Sequence, residues 1–394
     1  MKTILYFQSS LAASNMRELE GVRKYAADEG WKVQVIEYDG AAKSRYETAG
    51  GILPDVKGLV SLYRPNGCIV ECGGRRPKFE KEEFGRVPVV LLDCHPDDAW
   101  RGALCVYMDD ETIGRTAARE LLQLGFCDYA YIPWSEMRLT WNRVREATFR
   151  ACVREDGKKI HLFRHTSQKM DKVRLFGEMS AWMRRLPRPC GVFAANDLMA
   201  QIFVEAAVCS GFGVPKDFAV VGIDNDNALC AGGAVSITSI EATSLKTGQF
   251  AAELLGRRME HGAAGLRSIP VRDHHLFRRA STRLCKNADA RVLRALEFIR
   301  RNACDGIAPP DVVAEMGCSR RLADLRFREA TGHSILNEIH AVRIEVVKDM
   351  LRKGSFTMPF IADRTGYSSV VDLRRVFKRV VGKTMRGYVR SLLP

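Results

Sequence analysis

Apolar residues follow two different spacings along the first 240 residues of the chain. Short apolar runs, which favour buried strands, alternate with stretches in which apolar residues recur every three or four positions, as in amphipathic helices. This alternation predicts an α/β fold with doubly wound parallel sheets, and a stretch this long predicts a division into two lobes. The predicted strands are residues 3–7, 31–38, 67–71, 87–93, 129–133, 191–194 and 218–223, and the clearest predicted helices are residues 17–29, 112–124, 143–155 and 198–210.

The pattern changes after Pro270. From there strand-like runs cease, and amphipathic helical segments are separated by Gly, Pro and Ser residues. We therefore predict two domains: residues 1–284 carry the two-lobed α/β pattern, and residues 285–394 form an all-α domain.

A short motif occurs twice in the predicted helical domain. In its first copy a helix can end at Gly317, where glycine enters the left-handed conformation at low cost, and Ser319 can cap the next helix. Gly366 and Ser369 occupy the same places in the second copy, and a basic helix follows each serine. Two copies of helix, tight turn and helix are far more specific than one, and they predict two helix-turn-helix units.

Two other predicted helices of this domain carry apolar stripes, which should pack against neighbouring helices. In the first, over residues 290–302, the stripe consists of Val292, Leu293, Leu296 and Ile299. The second, over residues 334–351, lies between the two motifs, and its stripe consists of Ile335, Ile339, Val342, Val346 and Met350. A connector of this kind can hold two recognition helices about 34 Å apart, the spacing of successive major grooves on one face of DNA.

The positive charge of the chain is concentrated in the helical domain. Residues 286–394 hold 21 Lys and Arg against 12 Asp and Glu, a net charge of +9, whereas the longer remainder holds 40 against 35, a net charge of +5. A basic excess in this part of the chain favours a domain that binds a polyanion, although a soluble basic domain would have the same composition.

The cysteines and the hydropathy indicate an intracellular setting. The twelve cysteines are scattered, and the closest pair, Cys68 and Cys72, lacks the spacing of a typical zinc or redox pair, so reduced thiols are expected. The N-terminus has no apolar run long enough for a signal peptide, and no stretch of about 18 apolar residues occurs. The sequence therefore predicts a cytoplasmic protein with no membrane partner.

Polar residues stand at the ends of two predicted strands. Asn196 and Asp197 follow one strand, and Asp224 and Asn225 follow another. In parallel sheets such positions border the ligand cleft, where carboxylate and amide groups can hydrogen-bond a polyhydroxylated ligand. On spacing alone, however, these residues are at least as well explained as turn formers or helix caps.

The helical domain resembles the AraC/XylS family of transcription regulators over residues 290–390. The resemblance lies in Ile361-Ala362 to Gly366-Tyr367, Val376-Phe377-Lys378, Gly382-Lys383-Thr384 and Tyr388. It implies binding of double-stranded DNA by the helices after Ser319 and Ser369. Arginines there can read guanine through two hydrogen bonds, whereas lysines more often contact phosphates. The candidate DNA-binding residues are Arg320, Arg321, Asp324, Arg328, Ser369, Val371, Asp372, Arg375, Lys378 and Lys383; as an alternative, several of them are solvated helix charges.

The first domain resembles the effector-binding core of LacI-type repressors and periplasmic sugar-binding proteins. The matching segments are residues 106–110, 141–149 and 194–197. The resemblance implies that Arg145, Asn196 and Asp224 hold a sugar, with Asp197 and Asn225 beside them. Trp141 can stack on the apolar face of the sugar, or it can belong to the core. The loops at Gln8-Ser9-Ser10 and Cys94-His95 would line the N-terminal side of the cleft.

A LacI-like core followed by an AraC-type domain resembles the xylose operon regulators of bacteria. That resemblance implies a homodimeric activator of sugar catabolic genes, with xylose or a related monosaccharide as effector and RNA polymerase as a further partner. It implies no cofactor.

Enzymatic alternatives have weak support in the residues. The segment Gly382-Lys383-Thr384 resembles the end of a phosphate loop, but Phe377 stands where that loop needs glycine. His161 and His165 could share a helix face as a metal pair, although unaccompanied histidines are more often surface residues. A methyl-accepting repair protein with an AraC-type domain would need a zinc-binding cysteine cluster, for which the sequence has no candidate.

Overall fold

The computed structural model of the chain contains two compact units, Met1–Leu284 and Cys285–Pro394. The described residues are 1–9, 13–38, 54–134, 139–165, 171–242, 245–283, 290–353 and 356–390. Ser10, which the sequence analysis places beside the cleft, lies outside the described residues, as does the side chain of Leu293.

The first unit alternates strands and helices, as the apolar spacing predicts. Its strands are β1 (Thr3–Gln8), β2 (Lys32–Glu37), β3 (Gly67–Glu71), β4 (Val89–Leu92), β5 (Leu104–Met108), β6 (Asp128–Ile132), β7 (Lys159–Leu162), β8 (Cys190–Ala194), β9 (Phe218–Ile223), β10 (Thr238–Glu241), β11 (Ile269–Val271) and β12 (His275–Phe277). Its helices are α1 (Ala13–Asp28), α2 (Val56–Tyr63), α3 (Asp110–Leu122), α4 (Thr140–Glu155), α5 (Lys172–Met183), α6 (Asp197–Cys209), α7 (Asn227–Ala231) and α8 (Leu245–His261). Strands β3, β8 and β9 are buried at every position, as expected where helices cover both faces of a sheet.

Two sheets, each of six strands within the described residues, form two lobes in this unit. The strand orders are β11-β5-β4-β3-β1-β2 and β12-β10-β9-β8-β6-β7, and every pair is parallel except β10 with β12. The predicted doubly wound α/β fold is thus confirmed. The expectation that strands cease after Pro270 is wrong, because β12 follows it. This strand has only three residues and none is fully buried, so it gives no apolar run that the sequence could show.

Helix α8 returns from the second sheet to the first lobe and packs against α1. The two helices touch through their backbones: a Cβ atom at Gly21 would lie 1.9 Å from the carbonyl oxygen of Leu245, and one at Gly248 would lie 1.9 Å from that of Glu18. A larger residue at either glycine would force the helices apart. The contact therefore sets the position of the turn of α1 that carries Arg17 and Glu18.

The second unit is helical throughout its described residues. Its helices are α9 (Ala290–Asn302), α10 (Pro309–Met316), α11 (Arg320–Thr331), α12 (Ile335–Lys353), α13 (Met358–Arg364), α14 (Val370–Val381) and α15 (Met385–Arg390). Within the described part of the chain, every helix is too short or too polar to traverse a lipid bilayer.

Helix α12 connects two hydrophobic cores in this unit. Ile335 and Ile339 are buried in the core that α9, α10 and α11 share, whereas Ile344 and Val347 are buried in the core of α13, α14 and α15. The predicted stripe is wrong at Val346, which is 37% exposed. The buried face rotates around the helix because its two halves pack against different neighbours.

Candidate functional site

Residues at the carboxyl ends of strands from both sheets meet in a cleft between the lobes. Arg17 of α1 donates from Nη2 to the main-chain oxygen of Asp224, which follows β9, at 3.1 Å, and its Nη1 lies 3.5 Å from Glu241 Oε1. Gly74, which follows β3, approaches Trp141 so closely that a Cβ atom there would lie 2.7 Å from the indole Nε1. Open parallel sheets bind ligands at these strand ends.

The second lobe presents Arg145 to this cleft from the first turns of α4. Its Nε donates to Asp110 Oδ1 at 2.7 Å and its Nη1 donates to the main-chain oxygen of Ala195 at 2.9 Å. The guanidinium also lies 4.6 Å from the centre of the Trp141 ring, a cation–π distance. Burial raises the pKa of Asp110, and the charge of Arg145 opposes that rise. Arg145 is thus held rigidly by partners of the second lobe, since α3, which Asp110 begins, packs against α4 and β8.

Acidic groups crowd the remainder of the cleft. Burial and the neighbouring carboxyls of Glu71 and Asp110 raise the pKa of Asp93 to about 7. Burial and the charge of Asp197 raise the pKa of Asp224 to about 7 as well. Both backbones are in the left-handed region, with φ of 51° for Asp93 and 104° for Asp224. Strained conformations and perturbed acids are typical of ligand sites.

Several buried polar atoms in the cleft have no hydrogen-bond partner among the described residues. They are Glu18 Oε1, Glu71 Oε1, Tyr6 Oη and Arg17 Nε. The other oxygen of Glu71 is satisfied, because it accepts from the backbone N–H of Ser9 at 2.8 Å and from the Ser9 hydroxyl at 2.5 Å. Native proteins rarely leave buried polar atoms unpaired, so these atoms indicate where a ligand would make hydrogen bonds.

Three of the predicted ligand residues already hydrogen-bond within the second lobe. Asn196 caps α6 by accepting from the backbone N–H of Met199, and the Oδ1 of Asn225 accepts from Arg279 at 2.6 Å. Asp197 is fully buried, and its two oxygens accept from the Ser239 hydroxyl at 2.6 Å and from the backbone N–H of Asp226 at 2.8 Å. The helix-cap alternative therefore describes Asn196. Asp197 supports the loop after β9 from beneath, and its contact with ligand stays a prediction.

Most of the acidic groups in the cleft are not among the residues predicted from the sequence. Glu71 and Asp93 end predicted strands, so the strand-end rule applied to Asn196 and Asp224 would have found them. Asp110 begins the helix α3 and reads as a helix-start residue. Glu18 lies within α1, where a single acidic residue gives no signal of its own.

The second unit contains the two predicted helix-turn-helix units. Helix α10 ends at Gly317, with φ of 62°, and Ser319 caps α11 by accepting from the backbone N–H of Leu322. In the second helix-turn-helix unit, Gly366 has φ of 70° in the turn after α13, and Ser369 caps α14 by accepting from the backbone N–H of Asp372. The turn chemistry read from the sequence is therefore present in both copies.

The structure leaves all ten candidate DNA-binding side chains accessible. Asp324 and Asp372 are half-buried and the others are exposed, namely Arg320, Arg321, Arg328, Ser369, Val371, Arg375, Lys378 and Lys383. Arg320 lies 4.0 Å from Asp324 on α11, and Arg375 forms an ion pair with Asp372 on α14. Each second helix thus presents an arginine oriented by a carboxylate.

Comparison with protein families identifies both parts of the chain. A periplasmic binding protein-like domain matches residues 118–282, and a helix-turn-helix domain matches residues 312–391. The xylose operon regulatory protein of Escherichia coli is 27% identical over 307 residues, which cover 77% of this chain and 78% of that protein. A putative AraC-like transcription regulator of Streptomyces antibioticus is 31% identical over 107 residues, covering 27% of this chain and 35% of that protein.

The chain carries an AraC-type helix-turn-helix domain in its second unit. Its first unit is a periplasmic-binding-protein-like sensor domain, and the regulator resembles xylose operon regulatory proteins, as predicted. It is not an enzyme. A solved structure of a xylose-binding transcription activator shares the fold over 99% of this chain and 98% of that one, with a TM-score of 0.60 and 22% identity.

The second helix-turn-helix unit of the regulator is joined to the first by buried contacts around Tyr367. Arg343 of α12 donates to the main-chain oxygens of Ala303 and Ile307, at 2.7 and 2.9 Å, and its guanidinium lies 5.3 Å from the Tyr367 ring. His340 stacks on the same ring, with centroids 5.9 Å apart. These contacts hold the end of α9 and the turn before α14 together.

The histidines singled out as a metal pair do not share a helix. His161 lies on β7 and hydrogen-bonds Asp128 at 2.8 Å, whereas His165 lies beyond that strand and hydrogen-bonds the main-chain oxygen of Pro133 at 2.9 Å. The prediction of a common helix face is wrong, because the spacing of four was read as helical without regard to the apolar strand Lys159–Leu162.

Proposed function

We propose that the regulator binds xylose or a related monosaccharide in the interlobe cleft and thereby controls transcription of sugar catabolic genes. The observation that carries this proposal is the buried Arg145–Asp110 pair beside Trp141, with unpartnered carboxylate oxygens opposite it. A sugar supplies pairs of hydroxyl donors for carboxylates and an apolar face for an aromatic ring. The similarity to a xylose operon regulatory protein supports this class of effector.

Each side chain has a role in this proposal. Arg145 donates to a sugar oxygen, Asp224 accepts from hydroxyl groups, and Trp141 covers the apolar face. Asn225 holds the loop that carries Asp224 through its hydrogen bond to Arg279. On this proposal residues 1–284 sense the sugar and residues 285–394 bind DNA.

The proposed DNA contacts follow the accessibility of the two second helices. Arg320, Arg321 and Arg375 reach base edges, Arg328, Lys378 and Lys383 contact phosphates, and Ser369, Val371, Asp324 and Asp372 complete the two surfaces. We place the regulator in the cytoplasm as a homodimer that activates transcription by recruiting RNA polymerase.

A thermal-shift screen of the full chain tests the sensor. Pentoses, hexoses, deoxysugars and their phosphates are compared, because a ligand that binds only the folded state raises the melting temperature. We expect at least one monosaccharide to raise it. If no sugar does, the proposed effector class is wrong.

The residue assignment is tested by calorimetric titration of the sugar that the screen identifies. Arg145→Ala should raise its Kd by about tenfold or more, since each lost charged hydrogen bond costs about 1.5–3 kcal/mol. Arg143→Ala is the matched control, because Arg143 is exposed on the same helix. Equal affinity in both variants would remove Arg145 from the site.

DNA binding is tested by the dependence of operator affinity on salt. Each phosphate contact should contribute about −0.9 to the slope of log K against log salt. A flat response would contradict the proposed phosphate contacts by Arg328, Lys378 and Lys383.

A further inference from the structure

The cleft contains more acidic than basic groups among the described residues. Arg145 pairs with Asp110, and the Nη1 of Arg17 lies 3.5 Å from Glu241. The carboxyls of Glu18, Glu71, Asp93 and Asp224 have no Lys, Arg or His side chain within ion-pair distance in the described part of the chain. These four acids thus lack a close cationic partner, and Arg17 and Arg145 act on Glu18, Asp93 and Asp224 only from beyond ion-pair distance.

Two of these acids are shielded from solvent and lack a partner on one oxygen. Glu18 is 1% exposed and Glu71 is fully buried, and Oε1 of each has no hydrogen-bond partner among the described residues. The hydroxyl of Tyr6, which is also fully buried, is likewise unpaired. The three groups are close enough to interact electrostatically, because the charges of Glu18 and Glu71 both raise the pKa of Tyr6, after burial itself. Tyr6 pairs with Ile69, two residues before Glu71, and α1 packs on the same core, so the three groups share one buried region of the first lobe.

The chemistry of these groups selects among sugars of different charge. A neutral sugar supplies hydroxyl donors to the free oxygens but no positive charge that would favour the ionised carboxylates, and a sugar phosphate or sugar acid adds repulsion. A protonated amine supplies three N–H donors together with a positive charge. We infer that the effector is an amino sugar whose ammonium group binds against Glu18 and Glu71, with its ring held by Arg145 and Trp141. This inference rests on the proposed sugar-sensing function.

The electrostatics around Glu18 agree with this assignment. Burial, Asp93 and Glu71 raise the pKa of Glu18 well above its usual range, against a smaller effect of Arg17. Glu18 therefore retains its proton where no cation lies beside it, and an ammonium group bound there takes over the neutralising role.

The test compares amino sugars with their neutral counterparts on the full chain. Calorimetry at about pH 6.5, where an amine is protonated, is run with D-glucosamine, D-galactosamine, D-mannosamine and 4-amino-4-deoxy-L-arabinose. Each is paired with its parent sugar and, for the hexosamines, with its N-acetyl derivative, which keeps the nitrogen but loses the charge. We expect at least one amine to bind at least about tenfold more tightly than both neutral counterparts, as a new charged hydrogen bond would give.

Variants assign the effect to the acidic groups. Glu18→Gln should weaken binding of the preferred amine at least about tenfold more than it weakens binding of the parent sugar, because only the amine loses a charged partner. Glu20→Gln, at an exposed position of the same helix, is the matched control and should change neither affinity. If Glu18→Gln does not fold, Asp93→Asn provides the same test, since asparagine tolerates the left-handed backbone of that position.

The outcomes separate this inference from the function on which it rests. Neutral sugars that bind as tightly as every amine tested would overturn the amino-sugar assignment and leave sugar sensing intact. Equal loss of amine binding in Glu18→Gln and Glu20→Gln would likewise overturn it. Failure of all sugars, charged or neutral, to bind would overturn the proposed function itself.

Discussion

At the scale of single residues, two adjacent acids of α3 form ion pairs in opposite environments. Asp110 pairs with Arg145 at 2.7 Å, and the side chains are 4% and 8% exposed. Glu111 pairs with Arg115 at 3.1 Å, and these side chains are 63% and 58% exposed. Removing one partner of a buried pair leaves an uncompensated charge, whereas an exposed partner is replaced by water and salt.

We therefore predict that Asp110→Ala lowers the free energy of unfolding by about 3 kcal/mol. Glu111→Ala should lower it by less than about 1 kcal/mol. The measurement is urea unfolding followed by tryptophan fluorescence, which reports on the first unit because all five tryptophans precede residue 183. If the two variants lost similar amounts of unfolding free energy, burial would not determine how much the Asp110–Arg145 pair contributes to stability.

A second prediction at this scale concerns pH. The pKa of Asp93 is raised to about 7 by burial and by Glu71, Asp110 and Asp224, against the charge of Arg145, whereas an unfolded aspartate titrates near about 3.9. Between these values the folded chain holds a proton that the unfolded chain releases. The contribution of Asp93 to the free energy of unfolding is therefore greatest at the acidic end of this pH range, and it declines as pH rises towards about 7.

The melting temperature of the ligand-free chain should accordingly fall between about pH 5 and about pH 8, and it should fall further than that of the Asp93→Asn variant. Asp28→Asn, at an exposed position, is the control and should keep the wild-type dependence. Identical pH profiles for wild type and Asp93→Asn would show that Asp93 is not protonated in the folded state.

At the scale of the element, the turn of the second helix-turn-helix unit depends on a glycine for two reasons. Gly366 has φ of 70°, and a Cβ atom there would lie 2.9 Å from the carbonyl oxygen of Cys304 and 2.9 Å from the amide nitrogen of Gly306. Gly382 has a similar φ of 77° but has open space around it. Comparing Gly366 with Gly382 therefore separates the need for a left-handed backbone from the need for space around the Cα atom.

Gly382→Ala should cost about 1 kcal/mol, which is the backbone penalty alone. Gly366→Ala should cost at least about 2 kcal/mol more, since the methyl group would displace the loop at the end of α9. Hydrogen exchange of amides in the second unit, measured by mass spectrometry on the full chain, compares the two. Equal exchange rates in the two variants would indicate that the loop at the end of α9 moves aside at no cost in free energy.

Helix α14 carries one residue proposed to read bases and one proposed to contact phosphate, so the two kinds of contact can be distinguished on a single helix. Arg375 is oriented by its ion pair with Asp372, whereas Lys378 is exposed one turn later on α14. Arg375→Ala should cost about 1–3 kcal/mol of operator affinity and relax the preference at one base pair. Lys378→Ala should weaken all sequences alike and reduce the magnitude of the salt slope by about 1. Fluorescence anisotropy measures the affinity of each variant for operators with single base-pair changes. If Arg375→Ala lowered the affinity for all of these operators equally, base readout by Arg375 would be contradicted.

At the scale of the whole molecule, sugar and DNA should influence each other's binding by the same factor. This reciprocity is required by thermodynamics wherever two ligands bind one protein. We predict that saturating sugar changes operator Kd, and that saturating operator changes sugar Kd in the same ratio, with a coupling of about 1–3 kcal/mol. Anisotropy and calorimetry measure the two ratios. A ratio of one in both would show that the sensor does not control DNA binding.

Much of the fold was predictable because its signals are local. Seven apolar runs mark seven of the strands, and the turn glycines and capping serines mark both helix-turn-helix units; the runs correspond to β1, β2, β3, β4, β6, β8 and β9. The short edge strand β12 and the rotated face of α12 were not predictable, because each depends on neighbours that are distant in the sequence.

The site divides in the same way. Arg145 and Asp224 could be proposed from their places after predicted strands and from family resemblance, and both line the cleft. The acids Glu18 and Asp110 could not, because their importance arises from the pairing and crowding that packing of the lobes creates. The sequence by itself determined the alternation of elements, the caps and the turn chemistry, since these depend on neighbours within a few residues. Which polar groups are buried together without partners is set by the tertiary structure, because segments 207 positions apart in the chain, those of Arg17 and Asp224, meet in one cleft.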